Sequence, residues 1–304
     1  MTSESSKTSI YAALAANIGI GIAKFVGAAI SGSSAMLSEG IHSVVDSTNE
    51  VLLLYGLKRS KMAADEQHPL GYSQEIYFWS LLVAVLIFAL GGGVSIYEGI
   101  NSFQHSQASR SPMVSYIVLG VAALFEGTAL YVSIREFNQN YPRKNIGLWK
   151  AIRQSKDPSS FIVIVEDFAA LVGLGFAFAG VFLSEITQNP IYDGVASISI
   201  GIILTIVAIL LVVETKELLL GESASPEIRE SIKTIVQSDQ AVSKMEAPIT
   251  FHLGPTDILL ALNIEFKDEL SSDEIEAATR RIEQKIRESH QEIKRIFVEA
   301  ASVI

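Results

Sequence analysis

Residues 36–57 read MLSEGIHSVVDSTNEVLLLYGL, and how this stretch is taken decides the fold. It has the length of a membrane crossing, about 20 residues. Yet Glu39, His42, Asp46, Asn49 and Glu50 interrupt it, while Ile41, Val44, Val45 and Leu52 keep a helical stripe. A helix of this kind crosses a bilayer only if its polar face looks into protein or a water-filled cavity. Read that way, it is the second of six spans. The others are residues 10–30, 76–96, 113–134, 161–182 and 192–213, all plainly apolar.

The whole chain agrees with a membrane protein. Of its 304 residues 49% are hydrophobic and 18% charged, and its mean hydropathy is +0.36. An ordinary soluble domain is about 25% charged. The net charge of -10 argues against nucleic acid as a partner. Without cysteine there is no disulfide, thiolate metal site, iron–sulfur cluster or cysteine nucleophile.

Charge is unevenly spread. Residues 1–221 hold 17 acids and 13 bases, whereas residues 222–304 hold 16 and 10 in far less chain. Gly221, Ser223, Ser225 and Pro226 mark the change. The expected fold is therefore an all-α six-helix transmembrane domain, residues 1–221, followed by a small cytoplasmic α/β domain, residues 222–304. In the tail the pattern predicts helix, strand, strand, helix, strand. Two alternating runs, APITFHLG and DILLALNIEF, meet at Gly254 and Pro255 and give a hairpin signal.

Lysine and arginine placement gives the expected orientation. Lys7, Lys58, Arg59, Lys61, Arg135, Arg143, Lys144, Lys150, Arg153, Lys156 and Lys216 fall on one side, and Arg110 alone on the other. Both termini are therefore expected in the cytoplasm, in a multi-pass protein of the cell (inner) membrane. The first residues, MTSESSKTS, lack the pattern of a cleaved signal or transit peptide.

Chemistry concentrates inside the spans. An ionised side chain at mid-membrane costs at least ~2.5–3.5 kcal/mol on insertion scales, so each one needs a reason. His42 and Asp46, four apart, share a helix face and suit a divalent cation. A plain interhelical hydrogen bond from His42 is the structural alternative. Glu166 and Asp167 lie adjacent in the fifth span, about 100° apart on a helix. Lys24 is their only basic counterpart within a span, and pairing with it is the structural alternative for one of them. Glu126, in the fourth span, reads as structural or as part of a proton path. The metal-site candidates are thus His42, Asp46, Glu166 and Asp167. The site holds either a dication or protons, so exchanging one for the other needs no separate proton site.

The strings SGSSAMLSEGIHSVVDSTNEVLLLYG, DEQHPLGY, EDFAALVGLGFAFAG and DGVASISIGI resemble, in order, those of the cation diffusion facilitator family. HPLGYSQEIYFW, GGGVSIYEGI and KDPSSFIVIVED are similar to a zinc-transporter branch of it. The resemblance covers nearly the whole chain. It implies a homodimer in the lipid bilayer that exports zinc or a similar metal in exchange for protons, with a metallochaperone-like tail that helps hold the dimer. By the same resemblance His42 and Asp46 match one ligand pair and Asp167 half of the second, with Val163 where a ligand belongs. Glu166 and Asn49 are the nearest replacements. Asp65 and His68 match two ligands of a loop site whose third position is Tyr72. Asn263, Val298 and Ala300 stand where tail ligands are expected. A histidine with carboxylates suits zinc, with manganese, cobalt and ferrous iron left open. A membrane scaffold or metal sensor acting through its tail is the non-transporting alternative. No resident cofactor is expected. An enzyme is disfavoured, because HExxH, GxSxG and Walker sequences are absent.

Overall fold

The computed structural model describes residues 3–105, 112–141 and 147–301, with side chains described from residue 17 except those of Gln104 and His105. Arg110, Arg143 and Lys144, used above for orientation, lie outside the described residues, as does the side chain of Lys7. Helix α1 (Ser3–Ser31) turns at Gly32 into α2 (Ser34–Ser60), whose first turn is capped by the Ser33 hydroxyl accepting from Met36 N. A crossing of three parts follows: α3 (Glu75–Leu86), a π-helical stretch (Ile87–Gly93) and α4 (Val94–His105). Then come α5 (Pro112–Asn140), a short α6 (Leu148–Ser155), α7 (Pro158–Thr187) and α8 (Ile191–Leu220). Asp157 caps α7 by accepting from Ser159 N, with Pro158 in the first turn, where its missing N–H costs nothing.

Among the described residues, four helical stretches are long and apolar enough to cross a membrane: Glu75–Phe103, Pro112–Asn140, Pro158–Thr187 and Ile191–Leu220. The chain is a multi-pass membrane protein. Of the two remaining expected spans, α1 offers a shorter apolar helix over Asn17–Ser31. The second, α2, carries Glu39, Asp46, Glu50, Lys58 and Arg59 along its 27 residues. Both pack into the bundle. In α2 the polar residues lower the apolar signal, and the bundle interior buries Glu39, His42 and Asn49.

The bundle core runs from Met36 and Val45 through Val83, Ile87, Leu119 and Ile162 to Leu204 and Leu211. The π stretch was not expected. Its sequence, IFALGGG, lets α8 approach closely: a Cβ on Gly92 would stand 2.5 Å from Thr205 Oγ1. At the far end of the bundle, Asp193 of α8 closes the α1–α2 turn. It accepts from Ser33 Oγ at 2.5 Å, Ser34 N at 2.6 Å and Ser34 Oγ at 2.8 Å.

Gly221, with φ +93°, ends α8 in a left-handed cap. The tail follows as α9 (Pro226–Gln237), β1 (Val242–Met245), β2 (Ile249–Gly254), β3 (Asp257–Phe266), α10 (Ser272–Ser289) and β4 (Ile293–Ala300). β3 is central. It pairs antiparallel with β2 and β1 and parallel with β4. Its alternation buries Ile258, Leu260, Leu262, Ile264 and Phe266 against Ile232 and Val236 of α9 and Ala278, Ile282 and Ile286 of α10. The predicted helices and three of the strands are there. The sequence reading missed β1, whose four residues are too short to show alternation, and α6.

The tail rests on the α2–α3 loop. Arg295 donates to Asp257 Oδ1 at 2.6 Å and to the Leu70 carbonyl at 2.7 Å, and the Ser73 hydroxyl donates to Asp257 Oδ2 at 2.7 Å. This fixes which end of the bundle is the tail side.

Candidate functional site

The polar face of α2 looks into the bundle, as its length and charge required. His42 is 1% exposed, and its Nδ1 lies 3.0 Å from Asp46 Oδ1, one turn on. The two atoms are not aligned as a hydrogen bond, and neither has another partner. His42 Nε2, Ser43 Oγ and Asn49 Oδ1 are likewise buried without partners. From α7, Glu166 faces this group. Its Oε1 accepts from Asn49 Nδ2 at 2.6 Å, and its carboxyl lies beside that of Asp46.

Asp167, the next residue, turns toward α5, as the 100° step of a regular helix demands. The Ser133 hydroxyl donates to its Oδ2 at 3.0 Å. Asp46, Glu166 and Asp167 nevertheless line one cavity of about 450 Å³, which runs along the tail-side half of the bundle to Glu50, Leu53 and Glu136. Val163 lines it too, one turn before Asp167, together with Glu50, Glu126 and Glu136. The cavity wall thus carries six carboxylates and no basic residue. Among the described residues, no three His, Asp or Glu side chains close on one point as a metal cage. The donors form a wall rather than an enclosure.

Lys24 is not the partner of Glu166 or Asp167. Its ammonium lies 3.1 Å from Glu39 Oε2 and 3.7 Å from Glu126 Oε1. Glu39 had been read only as part of the polar face of α2. Its pairing depends on how α1 and α2 pack, and no spacing within one helix announces it.

The loop candidates have a structural use. Asp65 accepts from Gln67 N, His68 N and the Tyr72 hydroxyl, the last at 2.6 Å. The Tyr72 hydroxyl and the His68 amide hold its carboxyl below the usual carboxylate range. Tyr72, at the place of the absent ligand, stacks at 4.2 Å on His68 and ties down the aspartate. In the tail, Asn263 lies on β3 and Val298 and Ala300 on β4, and the two strands pair there. His252 is buried, with Nδ1 3.3 Å from the Gly254 carbonyl, and burial holds its pKa below the ordinary histidine value.

Residues 10–220 match the cation efflux transmembrane domain family. The chain is 33% identical over 243 residues to the mouse (Mus musculus) "Proton-coupled zinc antiporter SLC30A9, mitochondrial", covering 80% of this chain and 43% of that protein. It is 32% identical over 240 residues to "Metal tolerance protein C4" of Arabidopsis thaliana, covering 79% and 52%. To the "Manganese efflux system protein MneP" of Bacillus subtilis it is 25% identical, over 96% of this chain and 92% of that one. The chain thus spans about half the length or less of the first two relatives.

Proposed function

The chain belongs to the cation efflux family, a family of cation transporters rather than enzymes, and from that premise we propose that it is a secondary transporter of a divalent transition metal. One observation carries this reading. Asp46 holds a buried, unpartnered oxygen in the wall of the acidic cavity that Glu166 also lines, and the unpartnered atoms of His42 and Asn49 lie directly behind these two carboxylates. Buried polar atoms are normally paired. Inside a membrane domain, atoms left free at such cost suit a cargo that is itself charged.

The cation takes its ligands from His42, Asp46 and Glu166, with Asp167 a second carboxylate in the same cavity and Asn49 holding Glu166 in place. Zinc fits a histidine with carboxylates, and the printed names of relatives include both zinc and manganese. Protons are the counter-substrate, because the carboxylates that bind the metal also bind protons. All six long helical stretches cross the bilayer, with α1 and α2 tolerated by their inward polar faces. Residues 1–221 form the transport domain. Residues 222–304 form a cytoplasmic domain that helps hold a homodimer. Both termini lie in the cytoplasm, and metal leaves across the cell membrane.

The test is flux into proteoliposomes, comparing zinc, manganese, cobalt and ferrous iron with and without a pH gradient. Zinc uptake that rises when the lumen is more acidic than the bath, so that protons leave as metal enters, supports the reading. Flux of none of the four metals overturns it and leaves the scaffold.

A further inference from the structure

A second cavity of about 440 Å³ opens at the far end of the bundle, beside Ser33, Ser34 and Asp193. The two cavities approach each other along the same three helices. On α1, Ile20 lines the tail-side cavity and Phe25 and Ala28 the far one, and Lys24 lies between Ile20 and Phe25. On α2, Ser43 and Leu37 line the two cavities, with Glu39 between them. On α7, Ala170 and Val181 do so, with Gly173 between them.

The residues between the cavities meet one another. Lys24 and Glu39 are both 0% exposed and 3.1 Å apart. A Cβ on Gly173 would stand 2.7 Å from Glu39 Oε1, so α7 contributes an empty place rather than a brace. That oxygen has no hydrogen-bond partner. Glu39 is therefore held by the ammonium, and Glu126, 3.7 Å from the same nitrogen, offers the ammonium another carboxylate facing the tail-side cavity. A buried carboxylate oxygen without a donor is a costly feature for a strut that serves only the fold. A long, rotatable stem with two carboxylates in reach can leave one for the other.

We propose that Lys24 is the gate of the far-side exit: its ion pair with Glu39 seals the partition between the two cavities, and release of that pair joins the metal site to the far side. This rests on the transport reading above, but its readout is access rather than flux.

The chain has no cysteine, so one introduced thiol is the sole target for a membrane-impermeant maleimide. Ala129 lines the tail-side cavity, and Ala129→Cys puts the thiol there in the reconstituted full chain. Maleimide is added from the tail side or from the far side in separate reactions. With Lys24 present, labelling is expected from the tail side only. Lys24→Met is expected to raise far-side labelling at least tenfold, and Lys24→Arg, which keeps the cation, to leave it low. Glu39→Gln, nearly unchanged in size, is expected to raise it as Lys24→Met does. Equal far-side labelling in all backgrounds overturns the gate. So does failure of both Lys24→Met and Glu39→Gln to fold, since the pair would then be a strut. A chain that carries no metal but shows the Lys24-dependent labelling keeps the gate and removes the transport reading. The reverse result removes only the gate.

Discussion

Asp193 and Asp46 are both carboxylates in the membrane domain, and they are treated in opposite ways. Asp193 sits where α8 meets the start of α2, and its two oxygens collect one amide and two hydroxyl donors within 2.8 Å. Asp46 sits midway along α2 with one oxygen unpartnered beside a histidine that also lacks partners. The first arrangement spends a charge to join helices. The second keeps a charge available. Burial alone does not separate them; the difference lies in whether the fold supplies the donors.

Substitutions at the two sites test that contrast, and the largest effect is expected at Asp46. On the proposed transport reading, Asp46→Asn removes a negative charge that offsets the cation, at nearly constant volume. Metal flux in proteoliposomes is expected to fall at least about a hundredfold, about 2.7 kcal/mol or more of lost cation stabilisation. The thermal midpoint should stay the same or rise. A variant that keeps half its flux would take Asp46 out of the site.

Asp193→Ala should do the reverse. It leaves Ser33, Ser34 and the first amides of α2 without an acceptor. Each unsatisfied buried donor costs about 1–3 kcal/mol, so a total near 3 kcal/mol is expected. That corresponds to a midpoint lower by about 6–12 °C. Metal affinity of the folded fraction should hold. If affinity drops and stability does not, the contrast between the two aspartates fails.

Val163→His sharpens it further. Val163 and Asp167 line the same cavity one turn apart, so an imidazole there adds a nitrogen to the wall. Zinc should bind roughly tenfold more tightly, about 1.4 kcal/mol, with an equal or lower maximal rate. Glu166→Gln should then be less harmful than in the native chain. Equal damage in both backgrounds would give Glu166 a role other than ligand.

The smallest effect belongs to the tail. Burial depresses the pKa of His252, so the neutral ring is the form the folded tail holds. Its stabilising contribution is complete above the ordinary histidine value near 6.5 and is lost as pH falls below that toward the folded pKa. Protection of the β2 amides in the full chain, taken relative to the intrinsic exchange rate at each pH, should therefore be lower at pH 5.5 than at pH 7, and His252→Gln should flatten that dependence. A slope unchanged by the substitution would point to another group.

Much of this was legible in the residues. The stripe of Ile41, Val44, Val45 and Leu52 against Glu39, His42, Asp46 and Asn49 dictated a helix with a polar face turned inward, because a bilayer offers no other place for that face. Alternation in DILLALNIEF gave β3, and the serine and glutamate at Ser271 and Glu274 form a capping box at the start of α10. β1 was hidden because four residues carry too little period to read. The π stretch was hidden because a run of glycines says that something comes close, without saying what.

The sequence by itself determined which residues are costly in a membrane and which of them share a helix face, because both follow from side-chain chemistry and the 3.6-residue turn. Only the tertiary structure decided who meets whom. It gave Lys24 to Glu39 and Glu126 instead of to Glu166, and it sent Glu166 toward Asn49 and Asp167 toward Ser133. It also satisfied Asp193 while leaving Asp46 open. Those pairings join residues 15 to 160 positions apart. They depend on how the helices rotate and cross, which packing of the whole bundle sets and no local pattern encodes.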